Sequence, residues 1–153
     1  MVDGTGAAHH EPSIGEALTL GGLPLRFLFV PADPAPLDNP NQLSLIFTVR
    51  GKEKKLLFTG DAYANTLQAV LEQFPQEIPC DVLQLPHHGL CDTGHAEFYR
   101  LANAQTVLVP ISVAGDRTMA TDMYGDAPAA NRFAQSNARA VYKAFEGHTE
   151  LVF

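Results

Sequence analysis

A carboxylate and a pair of histidines are the side chains of this sequence best suited to chemistry. Asp61 ends the segment Phe58-Thr59-Gly60-Asp61, and His87 and His88 follow the apolar segment that ends at Pro86. Histidine is the commonest metal ligand at neutral pH, and a metal site needs ligands that are held rigidly, as they are at the ends of strands. The pattern therefore predicts a metal ion held by Asp61 together with His87 or His88.

Each of these residues also has an ordinary structural interpretation. Asp61 is placed to cap a following helix, because aspartate accepts hydrogen bonds from the first backbone amides of a helix. The two histidines fit an exposed polar loop between a proline and a glycine. Asn41 and Ser44 stand in a turn before an apolar strand, and beside a metal site they would lie at its mouth and contact the substrate.

The segments between these motifs predict alternating strands and helices. Period-two and near-continuous apolar runs predict strands at 25–30, 43–49, 55–59, 81–85, 106–111, 140–144 and 150–153. Helical spacing predicts helices at 61–74, 95–102 and 127–138. This order of elements indicates an α/β layered domain over residues 14–153, and the small and polar residues 1–13 indicate a flexible lead-in.

Size and composition limit the classes of function. A chain of 153 residues with 46% hydrophobic residues fits one domain with a core of its own. The net charge of −7 argues against a large basic surface for nucleic acid, although metal ions would still allow a phosphate ester to bind. Cys80 and Cys91 lack the spacing of a Cys-x-x-Cys pair and are expected to be free, partly buried thiols.

Membrane and export signals are missing from the pattern. No apolar run reaches the roughly 20 residues that a membrane helix needs. The segment Met1–His10 has neither a basic start nor an apolar stretch, so it does not have the form of a signal peptide. We therefore expect a cytoplasmic protein without a membrane segment.

Taken in order, the motifs resemble the metallo-β-lactamase superfamily, most closely the branch that includes the C-terminal domain of the DNA-uptake protein ComEC and related phosphodiesterases. The resemblance is carried by Asn-x-x-Ser at 41–44, Leu-Leu-Phe-Thr-Gly-Asp at 56–61 and Asp-Val-Leu-x-Leu-Pro-His-His-Gly at 81–89. It covers roughly residues 20–153 and corresponds to the C-terminal half of that fold. It implies half of an αβ/βα sandwich, in which a mixed sheet is flanked by helices.

The resemblance also implies a chemistry. In that superfamily two metal ions, usually zinc, share a hydroxide that attacks a phosphorus or carbonyl centre. Asp61 matches the carboxylate that bridges the two ions, and His87, or with less weight His88, matches the last histidine ligand. The implied function is metal-dependent hydrolysis of a phosphoester or a related ester, and nucleic acid is implied as a substrate only by analogy with the family.

The sequence departs from the family in its main ligand set. The motif His-x-His-x-Asp-His does not occur, and His9-His10 has the wrong spacing and no strand before it. A catalytic zinc ion takes three protein ligands and a water, so Asp61 and one histidine would hold a metal only weakly. Asp126 also stands where relatives in this branch carry a histidine before a proline.

Three hypotheses follow for function. The chain supplies part of the metal site of a hydrolase and is weakly active or inactive alone, or it is a degenerate half-domain that serves as a structural or interaction module. The third is an α/β ligand-binding domain that resembles the family by chance. Half of a sandwich would expose an apolar sheet face, so we expect a partner, either an N-terminal half or a second copy in a homodimer.

Overall fold

The computed structural model describes residues 6, 9–31, 40–90, 94–119, 127–148 and 150. Within these ranges the backbone forms a seven-stranded mixed sheet in which the strands lie side by side in chain order. The strands are β1 (Ala17–Leu20), β2 (Leu23–Phe29), β3 (Ile46–Arg50), β4 (Lys55–Phe58), β5 (Val82–Gln84), β6 (Thr106–Val109) and β7 (Ala140–Lys143). The predicted mixed α/β class is confirmed.

The sheet changes direction at β4. Strands β1 to β4 pair antiparallel, with short turns between β1 and β2 and between β3 and β4, whereas β4 to β7 pair parallel. Parallel neighbours need long crossover connections, and these contain the helices α1 (Ala64–Gln73), α2 (Ala96–Ala102), α3 (Val113–Met119) and α4 (Ala127–Asn137). Because crossovers of this kind have one hand, they place their helices on the same face of the sheet.

The core lies between this face and the helices. Leu57, Leu83 and Val107 are paired across β4, β5 and β6, and each is at most 1% exposed. The helices meet them with Leu67, Val70, Phe98 and Ala134, which are also buried. The helical spacing that predicted α1, α2 and α4 therefore corresponds to their buried side.

The opposite face of the sheet carries a second apolar row. Phe27 pairs with Phe47, and Phe47 pairs with Phe58, so the three rings lie side by side, with centroids 6.0 and 5.1 Å apart. Leu108 and Tyr142 are paired further along the sheet, and Tyr142 is 38% exposed. These residues do not belong to the core cluster that the helices cover.

The structure corrects several element predictions. The predicted strand at 25–30 has a further neighbour, β1, which the sequence did not predict and which pairs with β2 at the edge of the sheet. The predicted strand at 43–49 begins only at Ile46, after a 3-10 turn at Pro40–Leu43. The final predicted strand, 150–153, lies outside the described residues apart from Glu150, and Cys91 and Asp126 also lie outside them.

The interpretation of Asp61 as a helix cap is wrong. Helix α1 begins three residues later, and its cap position is Tyr63, which makes no side-chain capping bond. Asp61 instead ends the tight turn that leaves β4. The helix therefore does not account for the carboxylate at this position.

Lys55, at the start of β4, forms a buried ion pair with Glu77. Lys55 is only 6% exposed, and its ammonium group donates to the carbonyl and to the carboxylate of Glu77, the latter at 3.1 Å. Arg26 lies 3.6 Å from the same carboxylate. The segment from Arg50 to Lys54 remains a polar turn, whereas Lys55 belongs to the protein interior.

No helix in the described ranges is both long enough and apolar enough to span a bilayer. Cys80 is a free, partly buried thiol, as predicted. Burial raises the pKa of this thiol from 9.0 to about 12.

Candidate metal site

The site lies where β4 and β5 end. The two strands are parallel, so their carboxyl ends meet at one edge of the sheet. Asp61 follows β4 after the turn at Gly60, and His87 and His88 follow β5 after Pro86. The backbone N–H of His87 donates to the carbonyl of Gly60 at 3.0 Å, which ties the two segments directly together.

His88 is the histidine that faces Asp61. Its Nε2 lies 3.5 Å from Oδ1 of Asp61, and the two side chains are 41% and 38% exposed. Its Nδ1 is hydrogen-bonded to the carbonyl of Pro110, at the end of β6. A carbonyl oxygen only accepts, so the proton of a neutral His88 ring lies on Nδ1 and the lone pair of Nε2 points toward the carboxylate.

His87 has different neighbours. The side-chain amide of Asn41 donates to Nε2 of His87 at 3.2 Å and to the hydroxyl of Tyr63 at 3.1 Å. The rings of Tyr63 and His87 meet edge to face, with centroids 5.5 Å apart. Asn41, which the sequence predicted at the mouth of the site, therefore contacts one of the predicted histidines.

The turn that carries Asp61 is fixed by side chains from two other segments. Ser44 Oγ accepts the backbone N–H of Asp61 at 2.9 Å. Gln84 Oε1 accepts the N–H groups of Thr59 at 3.0 Å and Gly60 at 2.9 Å. Ser44 was predicted to contact the substrate, whereas its contact in the structure is with the backbone of the predicted metal ligand. Gln84 was not singled out in the sequence.

The His-His-Gly turn has an unusual backbone. His87 and His88 have φ values of 44° and 61°, and Gly89 follows with a φ of 74°. The left-handed region disfavours residues with a Cβ, so two consecutive histidines there need support from their surroundings. The turn directs the two imidazole rings toward different neighbours, so the surroundings of His88 differ from those of His87.

A buried amide supports this turn from helix α4. Asn131 is fully buried and donates to the carbonyls of Gly89 and Leu90, both at 2.9 Å. Its Oδ1 accepts the hydroxyl of Tyr99 at 2.8 Å. Burial raises the pKa of the Tyr99 hydroxyl well above its ordinary value, so this group remains a donor. The signal available in the sequence was a polar residue beside Ala130 and Ala134 on the buried side of α4.

Two of the side chains predicted as metal ligands, those of Asp61 and His88, face each other at this edge of the sheet. Among the residues that the structure describes, no group of three or more His, Cys, Asp or Glu side chains could hold a metal ion. His10 lies 2.7 Å from Glu16, and Nε2 of His95 lies 2.8 Å from Oε1 of Gln68. Asp61 and His88 therefore form a pair of candidate ligands, one short of a group of three.

The donor atoms of this pair fit a divalent cation. Two ligand atoms that each lie about 2.0–2.1 Å from a tetrahedral zinc ion are separated by about 3.3 Å, close to the 3.5 Å between Nε2 of His88 and Oδ1 of Asp61. A metal-binding histidine commonly donates its other ring N–H to a backbone carbonyl, as His88 does to Pro110. An imidazolium–carboxylate ion pair would account for the same contact without a metal.

Comparisons with known proteins give limited similarity. No family model matches the sequence. The chain is 30% identical over 105 residues to the uncharacterized protein YcaI of Escherichia coli strain K12, a match that spans 68% of this chain and 14% of YcaI. The crystal structure of the metallo-β-lactamase fold protein YhfI from Bacillus subtilis is similar over 89% of this chain and 51% of that chain, with 14% identity and a TM-score of 0.46.

Proposed function

We propose that this chain supplies Asp61 and His88 to the metal site of a hydrolase that cleaves a phosphoester or a related ester. The observation that carries the proposal is the pair of acceptor atoms, Nε2 of His88 and Oδ1 of Asp61, which face each other at 3.5 Å. Two acceptors in this arrangement attract a cation or a proton between them. Divalent metal ions, when bound, would supply an activated water and positive charge for the group being transferred.

The residues of the chain itself have definite tasks in this proposal. Asp61 and His88 would hold the metal, and the Pro110 carbonyl would keep the Nδ1 proton of His88 in place so that Nε2 stays a ligand. Ser44 would hold the backbone of Asp61. His87, with Asn41 and Tyr63 beside it, would line the site next to the metal and contact the substrate.

The substrate would lie beside His88. A cavity of about 270 Å³ borders this histidine and is lined on its other sides by Leu90, Pro110, Ile111, Ser112 and Gly115. Its lining is mainly apolar, so it would accept an organic group attached to the ester. The resemblance of the motifs to the phosphodiesterase branch favours a phosphoester. Hydrolysis assays would distinguish a phosphoester from a carboxylic ester, a thioester or a lactam.

The missing ligands would come from another polypeptide segment. Two protein ligands are fewer than the three of a catalytic zinc site, so we propose that a His-x-His-x-Asp-His segment or a second copy completes it. The sheet face that bears Phe47, Phe58 and Tyr142 would form the interface, because it is apolar and lies outside the helix-covered core. The gene sequence upstream of this chain is the first place to look for that motif.

Metal binding by the purified chain tests the proposal. His9 and His10 are first replaced by alanine, because these two neighbouring histidines would bind zinc themselves. In that background we expect weak binding of one zinc ion per chain by calorimetry and elemental analysis. His88→Ala and Asp61→Asn should each lower the zinc affinity at least tenfold, and the matched control His87→Ala should lower it less than threefold.

Two results would contradict the proposal. Equal losses for His87→Ala and His88→Ala would show that the arrangement around Asp61 is not the ligand set. No zinc binding by the parent chain, together with an imidazolium signal from His88 in NMR spectra, would assign the contact to an ion pair.

Hydrolysis of bis(p-nitrophenyl) phosphate by this chain alone should be weak or absent, and turnover abolished by Asp61→Ala would refute that expectation.

A further inference from the structure

We propose that Asn131, oriented by Tyr99, is a positioning residue that sets the direction of His88 from a separate helix. The proposal rests on the proposed metal site, since it gives Asn131 a role in metal affinity as well as in folding. Asn131 lies in α4, 42 positions beyond Gly89 along the chain, and its amide bonds to the backbone of the turn. It would act through the backbone of the turn that carries the histidines.

The backbone of that turn has a disfavoured conformation. His87, His88 and Gly89 occupy the left-handed region in succession, with φ values of 44°, 61° and 74°. Residues with side chains stay there only when their surroundings impose it. The N–H of Leu90 donates to the carbonyl of His87 and closes the turn, but this bond alone does not fix the turn against the rest of the protein.

The turn is held from outside on two sides. On the β4 side, the N–H of His87 is bonded to Gly60. On the α4 side, both N–H groups of the Asn131 amide are used, one by the Gly89 carbonyl and one by the Leu90 carbonyl. The turn is therefore held between the sheet and α4, and a shift of either contact would rotate the ring of His88 away from Asp61.

The partners of the Asn131 amide set its orientation. Carbonyl oxygens only accept, so Nδ2 of Asn131 must face Gly89 and Leu90, and Oδ1 must face the hydroxyl of Tyr99 at 2.8 Å. Asn131 is fully buried and Tyr99 is 4% exposed, so water does not compete for these bonds. Tyr99 thus holds the amide in the one orientation that supports the turn.

Four variants test the proposal, all in the background that lacks His9 and His10. Asn131→Leu keeps the approximate size of the side chain and removes both donors, and Tyr99→Phe removes only the hydroxyl that orients the amide. Val70→Ala is the control, because Val70 is a buried core residue of α1 with no part in this network. His88→Ala identifies the NMR signals of the His88 ring.

Three measurements are made on each variant: stability in urea, zinc affinity, and the imidazole nitrogen shifts of His88. We expect Asn131→Leu to lower zinc affinity about 10- to 100-fold, the range found for residues that support metal ligands. Tyr99→Phe should lower it at least threefold. Both should convert the single Nδ1-protonated form of His88 into a mixture, whereas Val70→Ala should lose stability with affinity and His88 signals unchanged.

Each outcome decides between positioning and plain core packing. Unchanged zinc affinity and unchanged His88 signals in a folded Asn131→Leu variant would overturn the proposal. If that variant does not fold, Tyr99→Phe decides by the same two measurements. If the parent chain binds no zinc, the proposed function is wrong. The NMR signals of His88 then still test the role of Asn131, because they can be recorded without a metal.

Discussion

Replacement of Gly60 by alanine should destabilise the protein by two separable effects. Gly60 has a φ of +54°, where a residue with a Cβ costs about 1–2 kcal/mol. A Cβ built there lies 2.9 Å from the Cβ and 3.0 Å from the Oγ of Ser44, closer than the roughly 3.5–4.0 Å at which such atoms rest. Overpacking of this kind costs about 1–3 kcal/mol, so the total should be about 2–5 kcal/mol.

Urea unfolding of matched variants separates the two effects. Gly21 has a φ of +57° and no atom within 4 Å of a Cβ built on it, so Gly21→Ala carries the backbone cost alone. We expect it to lose about 1–2 kcal/mol. In a double-mutant cycle, Ser44→Gly should relieve part of the cost of Gly60→Ala, with a coupling energy of at least about 1 kcal/mol.

Steric crowding at Gly60 should make the losses of stability at the two glycines differ. Equal losses for Gly60→Ala and Gly21→Ala, or a cycle whose costs simply add, would show that Ser44 does not confine Gly60. A loss below about 1 kcal/mol at both positions would contradict the backbone argument as well. If the added Cβ at Gly60 displaces Ser44, the position of Asp61 should change too, because Ser44 Oγ accepts the backbone N–H of Asp61.

Three further predictions concern the ionisable groups of Lys55, Glu77 and Cys80. Glu77→Ala should destabilise more than Lys55→Met in urea, because it leaves the ammonium of Lys55, whose side chain is 7% exposed, without its carboxylate; equal losses would contradict the pairing. Burial raises the pKa of Cys80 from 9.0 to about 12, so its contribution to stability is complete below pH 9 and is lost as the pH rises toward 12. Between pH 9.5 and 10.5, Cys80→Ala should therefore show a shallower fall in unfolding free energy than the parent chain. In a Cys91→Ser background at pH 8, the folded protein should react slowly with iodoacetamide, and rapid reaction would contradict the burial of this thiol.

Much of the sheet could be predicted from the sequence, because buried strands leave a local pattern of apolar residues. The apolar runs predicted β2 to β7, and the helical spacing of Leu67 and Val70 predicted α1. Strand β1 was missed because three of its four residues are exposed, so it lacks the apolar alternation of a half-buried strand. Helix α3 was missed for a related reason, since Val113 at its start is 49% exposed.

The candidate site was predictable in its position but not in its assignment. The sequence placed Asp61 and the histidine pair at the ends of neighbouring strands, and parallel pairing of β4 and β5 brings them to one edge. It could not show which histidine faces Asp61, because that choice depends on two left-handed backbone angles. The sequence favoured His87 as the ligand, whereas the geometry favours His88, and the zinc titrations decide between them.

The supporting amides were beyond prediction because their partners are backbone atoms. Gln84 bonds the turn before Asp61, and Asn131 bonds carbonyls 41 and 42 positions away. Backbone groups are the same at every position, so no residue type in the sequence marks these contacts. Only the fold brings them together.

The arrangement has a consequence for how the site would bind metal. The ligand pair is partly exposed, whereas Asn131, which supports one side of it, is fully buried. The direction of His88 would therefore be set when the protein folds, before a cation arrives, and little of the binding energy would be spent on ordering the pair. Affinity would then be limited by the number of ligands, so a segment that adds the missing ligands should raise it far more than any change around His88.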